Sequence, residues 1–265
     1  MLSATIRSQL KQKFRERKQV FGGWHSLFHP SITEAFTKAQ FDFLGIDLEH
    51  STISQEQSQR IIATSQAGGI PCLPRIASHN GEMIKRLLDS GADGIIVPMV
   101  STSQEVEQII AWSKYFPAGK RSFGVARAQG YGIDYDEYTK NWNSSSSIII
   151  QIETIQGVEN IERLLNYEEI DGIMLGTYDL SGSLGIPGQL THPKILEASQ
   201  VVIAACAKYQ KACGTHLVEP ELKDIQQALE RGFTFSVISS DVFLLGKWAE
   251  KTKKNLGLLR IGKFS

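Results

Sequence analysis

The chain carries no excess charge of either sign. Its 28 basic and 28 acidic side chains cancel over 265 residues. That argues against nucleic acid or an acidic membrane as a partner, since both select for a basic surface. Cysteine is scarce. Cys72, Cys206 and Cys213 are the three present, and no CxxC pair occurs. An odd set without that spacing argues against a disulfide framework and against a thiolate zinc site. It suits small buried residues in a reducing cytosol. No apolar run approaches the roughly 20 residues of a membrane span. The basic stretch Met1–Lys18 also lacks the apolar core of a signal peptide. The expected partners are therefore small molecules, with no nucleic acid and no membrane, and the expected location is the cytoplasm.

What is present is a repeat. Short apolar runs stand at Val20–Trp24, Phe43–Leu48, Pro71–Ile76, Gly94–Val97, Ile148–Ile152, Gly172–Leu175, Cys213–His216 and Phe235–Ile238. Their continuous apolar character fits parallel strands buried on both faces. Between them, Ser54–Gln66, Asn80–Ser90, Ser103–Tyr115, Val158–Asn166, Pro193–Gln210 and Pro220–Arg231 carry helical spacing. Ser103 is expected to precede a helix with Glu107 in its first turn, and Gly68–Gly69 and Ser90–Gly91 to close two others. No composition shift marks a linker, and no GxGxxG follows the first strand as a doubly wound sheet would want. The fold class expected is α/β, one (β/α)8 barrel over 1–265. Ile6, Leu10 and Phe14 recur every four residues, so 1–19 reads as a helix capping the barrel bottom, and 246–265 as a C-terminal tail. The stretch Phe116–Ser147, rich in Gly, Ser and aromatics, breaks the repeat. It reads as a functional loop, placed in part on the far side of the barrel by its position after the fourth helix, that folds over the mouth or meets a neighbouring subunit.

Chemistry in such a barrel sits at the C-terminal strand ends. Polar residues gather there: Asp47 and His50, Arg75, Gln151 and Glu153, Asp179, and His216. Glu153 and Asp179, from neighbouring strands, can share a hard divalent cation, Mg2+, Mn2+ or Co2+, with water or substrate completing the shell. The plainer reading is that each carboxylate caps a helix. Asp47 and His50 are three apart, and a carboxylate can orient an imidazole as a base. The competing reading is an ordinary loop histidine. Arg75 suits an enolate or a substrate carboxylate, or else a salt bridge to Asp47 or Glu49. The loop Asp179–Gly185, which contains Ser181, offers free N–H groups for a carboxylate or phosphate. None of the apolar runs ends in lysine, which weakens a Schiff-base mechanism.

The strings FDFLGIDLEH, RLLDSGADGIIVPMV, IIIQIET and GTYDLSGSLGIPG resemble the HpcH/HpaI family of metal-dependent (class II) pyruvate aldolases, from about Phe21 to about Leu245. The resemblance implies a TIM barrel of the phosphoenolpyruvate/pyruvate type. It implies a lyase that cleaves a 4-hydroxy-2-oxo acid to pyruvate and an aldehyde, or runs in reverse. By it, Glu153 and Asp179 match the metal ligands and Gln151 a polar residue beside them. Arg75 matches the arginine that steadies the pyruvate enolate. His50 with Asp47 matches the dyad that moves the aldol proton, and Asp89 an aspartate reaching a neighbouring subunit's site. Trp24 matches an aromatic pocket wall. Ser181 and Tyr178 fall in the substrate-binding loop. The resemblance also implies a homohexamer, a trimer of dimers, with an exchanged C-terminal helix.

Four positions depart from the family pattern: Thr177 where proline is usual, Tyr178 where a small residue is common, Ser122 for a glycine after Arg121, and His216 for an apolar residue over the acceptor. Two rivals remain: a related condensing enzyme of the citrate-synthase or acyl-CoA lyase kind, and a non-catalytic protein that keeps the fold for assembly or sensing.

Overall fold

The computed structural model describes residues 4–260. The ends of the stretches expected as an N-terminal cap and a C-terminal tail, 1–3 and 261–265, lie outside the described residues. The apolar runs become eight parallel strands. They are β1 (Val20–His25), β2 (Phe43–Asp47), β3 (Cys72–Arg75), β4 (Gly94–Val97), β5 (Ser147–Ile152), β6 (Gly172–Leu175), β7 (Ala212–Leu217) and β8 (Phe235–Ile238). They close in chain order, with β1 pairing both β2 and β8. The helices are α1 (Ala4–Arg15), α2 (Pro30–Thr37), α3 (Gln55–Ala67), α4 (Gly81–Asp89), α5 (Ser103–Ser113) and α6 (Tyr135–Ser145). After β5 come α7 (Ile155–Glu159), α8 (Ile161–Leu165), α9 (Thr177–Ser183), α10 (Pro193–Lys208), α11 (Leu222–Glu230) and α12 (Asp241–Arg260).

Side chains alternate along a strand with period two. The set pointing into the barrel is fixed by one buried cluster: Val20, Trp24, Phe43, Leu73, Ile96, Ile149, Met174, Ala212, Phe235 and Val237. Large rings fill the interior where the neighbouring strand has no side chain. Trp24 lies opposite Gly45, where an added Cβ would collide with the indole, and Phe235 stands likewise against Gly214. Leu10 and Phe14 of α1 join this cluster from below, with Phe14 edge-on to Phe43 and Phe235. Lys11 binds the fully buried Asp171 at 2.6 Å, which ties α1 to the strand floor.

Several local expectations shift. Thr102, not Ser103, caps α5. Its hydroxyl accepts from Glu105 N while the Glu105 carboxylate accepts from Thr102 N, a reciprocal capping box. Glu107 instead accepts from the Tyr167 hydroxyl. The helix expected over Val158–Asn166 is two short helices that meet at Asn160. Gly69 and Gly91 follow α3 and α4 with φ of +81° and +101°, the left-handed geometry that glycine adopts freely. The tail expected from 246 is part of the 20-residue helix α12.

The stretch Phe116–Ser147 does not cover the mouth of its own barrel. It holds a 3-10 turn, Arg127–Gly132, and then α6, which packs on α1. Arg7 of α1 donates to Ser145 Oγ at 2.9 Å and lies over the rings of Tyr138 and Trp142. The stretch therefore sits beneath the strands, on the side opposite the strand C-termini.

Candidate active site

The same alternation that sends Phe43, Leu73, Ile149 and Ala212 inward sends Asp47, Arg75, Gln151, Glu153 and His216 inward one or two steps later. They crown the barrel and line a cavity of about 410 Å3. Trp24, His50, Thr177, Tyr178 and Asp179 also line it.

Asp47 and Arg75 are register partners on β2 and β3. Arg75 Nη2 donates to Asp47 Oδ2 at 2.7 Å and Nε to Oδ1 at 3.2 Å. Its Nη1 lies 3.1 Å from Glu49 Oε2, and its guanidinium 5.2 Å from the Trp24 ring. Burial pushes the Asp47 carboxyl up, but Arg75 and the N–H groups of His50 and Glu49 outweigh it and hold the group below its ordinary value. Both salt bridges weighed for Arg75 are thus formed. The expected Asp47–His50 dyad is not. Asp47 Oδ1 turns back onto the backbone N–H groups of Glu49 and His50. The His50 imidazole is 67% exposed, and its nearest carboxylate is Glu49, with Nε2 3.9 Å from Oε2.

Glu153 follows β5 and is buried. Its Oε2 accepts from Met99 N at 2.8 Å and its Oε1 from Gln151 Nε2 at 3.1 Å. Met99 has φ of +56°, a left-handed conformation that costs a non-glycine residue about 1 kcal/mol. It turns the N–H onto the carboxylate. Burial raises the Glu153 carboxyl to about 7, offset by the Met99 N–H and reinforced by the charges of Glu49 and Asp179. Gly176 makes the room, since a Cβ there would collide with Glu153 Oε1. Asp179 stands in the first turn of α9, where the helix N-terminus favours a carboxylate.

These features fit a hard cation. A buried carboxylate sits beside two more, with the neighbouring Arg75 already engaged, and the buried Gln151 Oε1 has no hydrogen-bond partner among the described residues. Among the described residues no group of three or more His, Cys, Asp or Glu forms a closed metal cage. Two carboxylates with open positions leave room for water and substrate oxygens.

His216 Nε2 lies 3.2 Å from Ser239 O, and its ring lies 5.5 Å from the Trp24 ring. Burial pushes its imidazole down to about 4. Two expected site residues are not brought to the cavity. Ser181 is fully buried, donating to Tyr178 O and accepting from Gly188 N, and the segment expected as a Gly-rich loop is helical through Ser183. Asp89 ends α4 and binds Arg121 Nη2 at 2.7 Å, away from the cavity of its own chain.

The sequence model of the family described as HpcH/HpaI aldolase/citrate lyase matches residues 21–247. The chain belongs to this family. An HpcH/HpaI relative, 5-keto-4-deoxy-D-glucarate aldolase from Escherichia coli, is 34% identical over 241 residues, covering 89% of this chain and 91% of the relative. The crystal structure of the HpcH/HpaI aldolase from Desulfitobacterium hafniense has a TM-score of 0.85 at 28% identity, covering 93% of this chain and 96% of that one. Citrate Synthase SbnG has a TM-score of 0.80 at 27% identity, covering 96% and 98%.

Within this HpcH/HpaI chain, sequence reasoning missed part of the cavity wall. Leu190, Val218, Ser240, Val242 and Phe243 line it from loops and from the start of α12. No motif marks them, because only barrel closure brings these loops together. Glu49 was legible within D-x-E-H, yet its place against Arg75 and His50 depends on the turn that Asp47 caps.

Proposed function

We propose that the chain is a metal-dependent aldolase that cleaves a 4-hydroxy-2-oxo acid to pyruvate and an aldehyde, or joins the two. The observation that carries this reading is the pair Glu153 and Asp179 beside Arg75 in one cavity, with no lysine lining it among the described residues. Glu153 and Asp179 would hold a divalent cation, Mg2+, Mn2+ or Co2+, with Gln151 beside it. When bound, such a cation acts as a Lewis acid toward the carboxylate and keto oxygens of a 2-oxo acid.

The rest falls to the chain's own groups. Cleavage removes the proton of the C4 hydroxyl, breaks the C3–C4 bond and moves its electron pair toward the C2 oxygen. Arg75, fixed by Asp47 and Glu49, presents a fixed cation where that negative charge develops. His50, exposed at the mouth, takes the hydroxyl proton through water, and Glu49 stands where it can steady the imidazolium. Trp24 walls the inner cavity and supports the guanidinium. Protonation of the enolate at C3 releases pyruvate.

The likeness to Citrate Synthase SbnG names one second reading to test against it, the same enolate chemistry on a keto acceptor. We assign the chain to the cytoplasm and to a homohexamer, a trimer of dimers, in which Asp89 reaches a neighbour's site and α12 is exchanged. The support for assembly is α12 itself, which leaves Leu244, Leu245, Trp248 and Leu259 exposed. The test is pyruvate release from a 4-hydroxy-2-oxo acid, with and without EDTA. Release abolished by EDTA and restored by Mg2+, Mn2+ or Co2+ is expected. No release with any of these metals would overturn the reading, and turnover only with oxaloacetate as acceptor would favour the second one.

A further inference from the structure

The loops after β6, β7 and β8 and the start of α12 line the cavity with Leu190, Val218, Val242 and Phe243, beside Ser240. Arg75 is the one Lys or Arg among the described residues that line the cavity, and Asp47 and Glu49 hold it. Lys247, one turn beyond Phe243 on α12, is bound by Glu219 at 2.7 Å.

His216 lines the same cavity between Trp24 and Phe243, with ring separations of 5.5 Å and 6.5 Å. Its tautomer follows from its neighbour. The Ser239 carbonyl only accepts, so Nε2, 3.2 Å away, carries the hydrogen. Burial keeps the imidazole neutral, with its pKa down at about 4. Nδ1 is then an acceptor with a lone pair. It has no protein partner among the described residues, on a ring that lines the cavity.

We propose that the acceptor end of this cavity takes an uncharged hydroxyaldehyde, whose hydroxyl donates to Nδ1 of His216 while its carbon chain lies on Leu190, Val218, Val242 and Phe243. This rests on the aldolase reading above and narrows its substrate class. A carboxylated aldehyde is disfavoured on two counts. It would lose hydration against apolar side chains with no cation to compensate. It would also turn its oxygens toward the Nδ1 lone pair. A plain alkyl aldehyde fits the wall but leaves Nδ1 without a donor, which a polar site penalises.

The experiment compares three two-carbon acceptors of different end-group chemistry: acetaldehyde, glycolaldehyde and glyoxylate. Each is added to pyruvate with the full-length enzyme and saturating Mn2+, and kcat/KM is measured for each. Wild type is expected to prefer glycolaldehyde to both others. In His216→Leu the glycolaldehyde-to-acetaldehyde ratio should fall by about three- to tenfold, the loss of one hydrogen bond to a neutral group. His216→Gln, which keeps an acceptor oxygen, should retain most of that ratio. Acetaldehyde in the same preparation cancels any loss of folded protein. An unchanged ratio in His216→Leu overturns the proposal, and so does glyoxylate as the best wild-type acceptor. Deuterium exchange at C3 of pyruvate by wild type needs no aldehyde. Exchange together with an unchanged ratio removes the role of His216 alone, whereas absence of exchange removes the aldolase reading as well.

Discussion

Arg75 and Asp47 are register partners on adjacent strands, and two parallel hydrogen bonds, at 2.7 Å and 3.2 Å, lock the guanidinium to the carboxylate. The third nitrogen reaches Glu49. The arginine is thus held in one plane before any substrate arrives, which is what stabilising a developing charge requires. Lysine at this position keeps the charge but not the fork. Arg75→Lys should lower kcat for pyruvate release by about 100-fold. Near-wild-type turnover would mean that any positive charge suffices.

Gly176 gives a sharper test of the Glu153 site. Its φ of −92° is open to any residue, so alanine strains no backbone there. Its Cβ, however, collides with Glu153 Oε1. Gly176→Ala should fold with a loss of about 1–3 kcal/mol, as overpacking costs. It should weaken Mn2+ binding by about tenfold or more. Titration followed by electron paramagnetic resonance, together with urea unfolding, measures both. Unchanged Mn2+ affinity would mean that Glu153 is not a ligand.

The carboxyl of Glu153 sits at about 7 in the folded metal-free chain, raised from its ordinary 4.5. The folded state therefore binds this proton more tightly than the unfolded one. Its contribution to stability is full below the ordinary value and is lost as pH rises through about 7. His216, lowered from 6.5 to about 4, acts in the opposite sense over the overlapping window between those two values. The difference between wild type and Glu153→Gln isolates the glutamate. The metal-free wild type should lose stability relative to Glu153→Gln between about pH 5 and pH 8. Metal affinity should rise over the same range, because the cation displaces the proton. Melting curves that run parallel with pH would contradict this.

The apolar face of α12 bears on assembly. Trp248 is 67% exposed, with Leu244 and Leu245 beside it. If a second copy covers this face, Trp248→Glu should reduce the molar mass seen by light scattering, since a charge is buried there without a partner. A wild-type monomer at micromolar concentration would remove the proposal.

Much of this was legible in the sequence because a barrel repeats one physical pattern. The strands are buried on both faces, so Gly94–Val97 and Gly172–Leu175 stand out as unbroken apolar runs and match the observed strands. Once Phe43 and Ile149 point inward, Asp47, Gln151 and Glu153 must follow. What was illegible depends on contacts between distant segments. Helix α6 lies in a Ser- and Gly-rich stretch, and its buried rings, Tyr138 and Trp142, find packing partners in two distant arginines, Arg7 of α1 and Arg121. The D-x-x-H spacing brings Asp47 and His50 together, but the turn after β2 spends the carboxylate on backbone N–H groups. The Gly- and Ser-rich spacing around Ser181 reads as an anion-holding loop, yet helix α9 turns its hydroxyl inward.

The most direct test of a cation held by Glu153 and Asp179 is deuterium incorporation at C3 of pyruvate by chelator-stripped protein, titrated with Mn2+. Glu153→Gln and Asp179→Asn are measured in parallel. Exchange that is absent without metal, restored by Mn2+ and lower by about 100-fold or more in each variant is the predicted result. Full exchange by stripped wild-type protein, or by both variants, would contradict it.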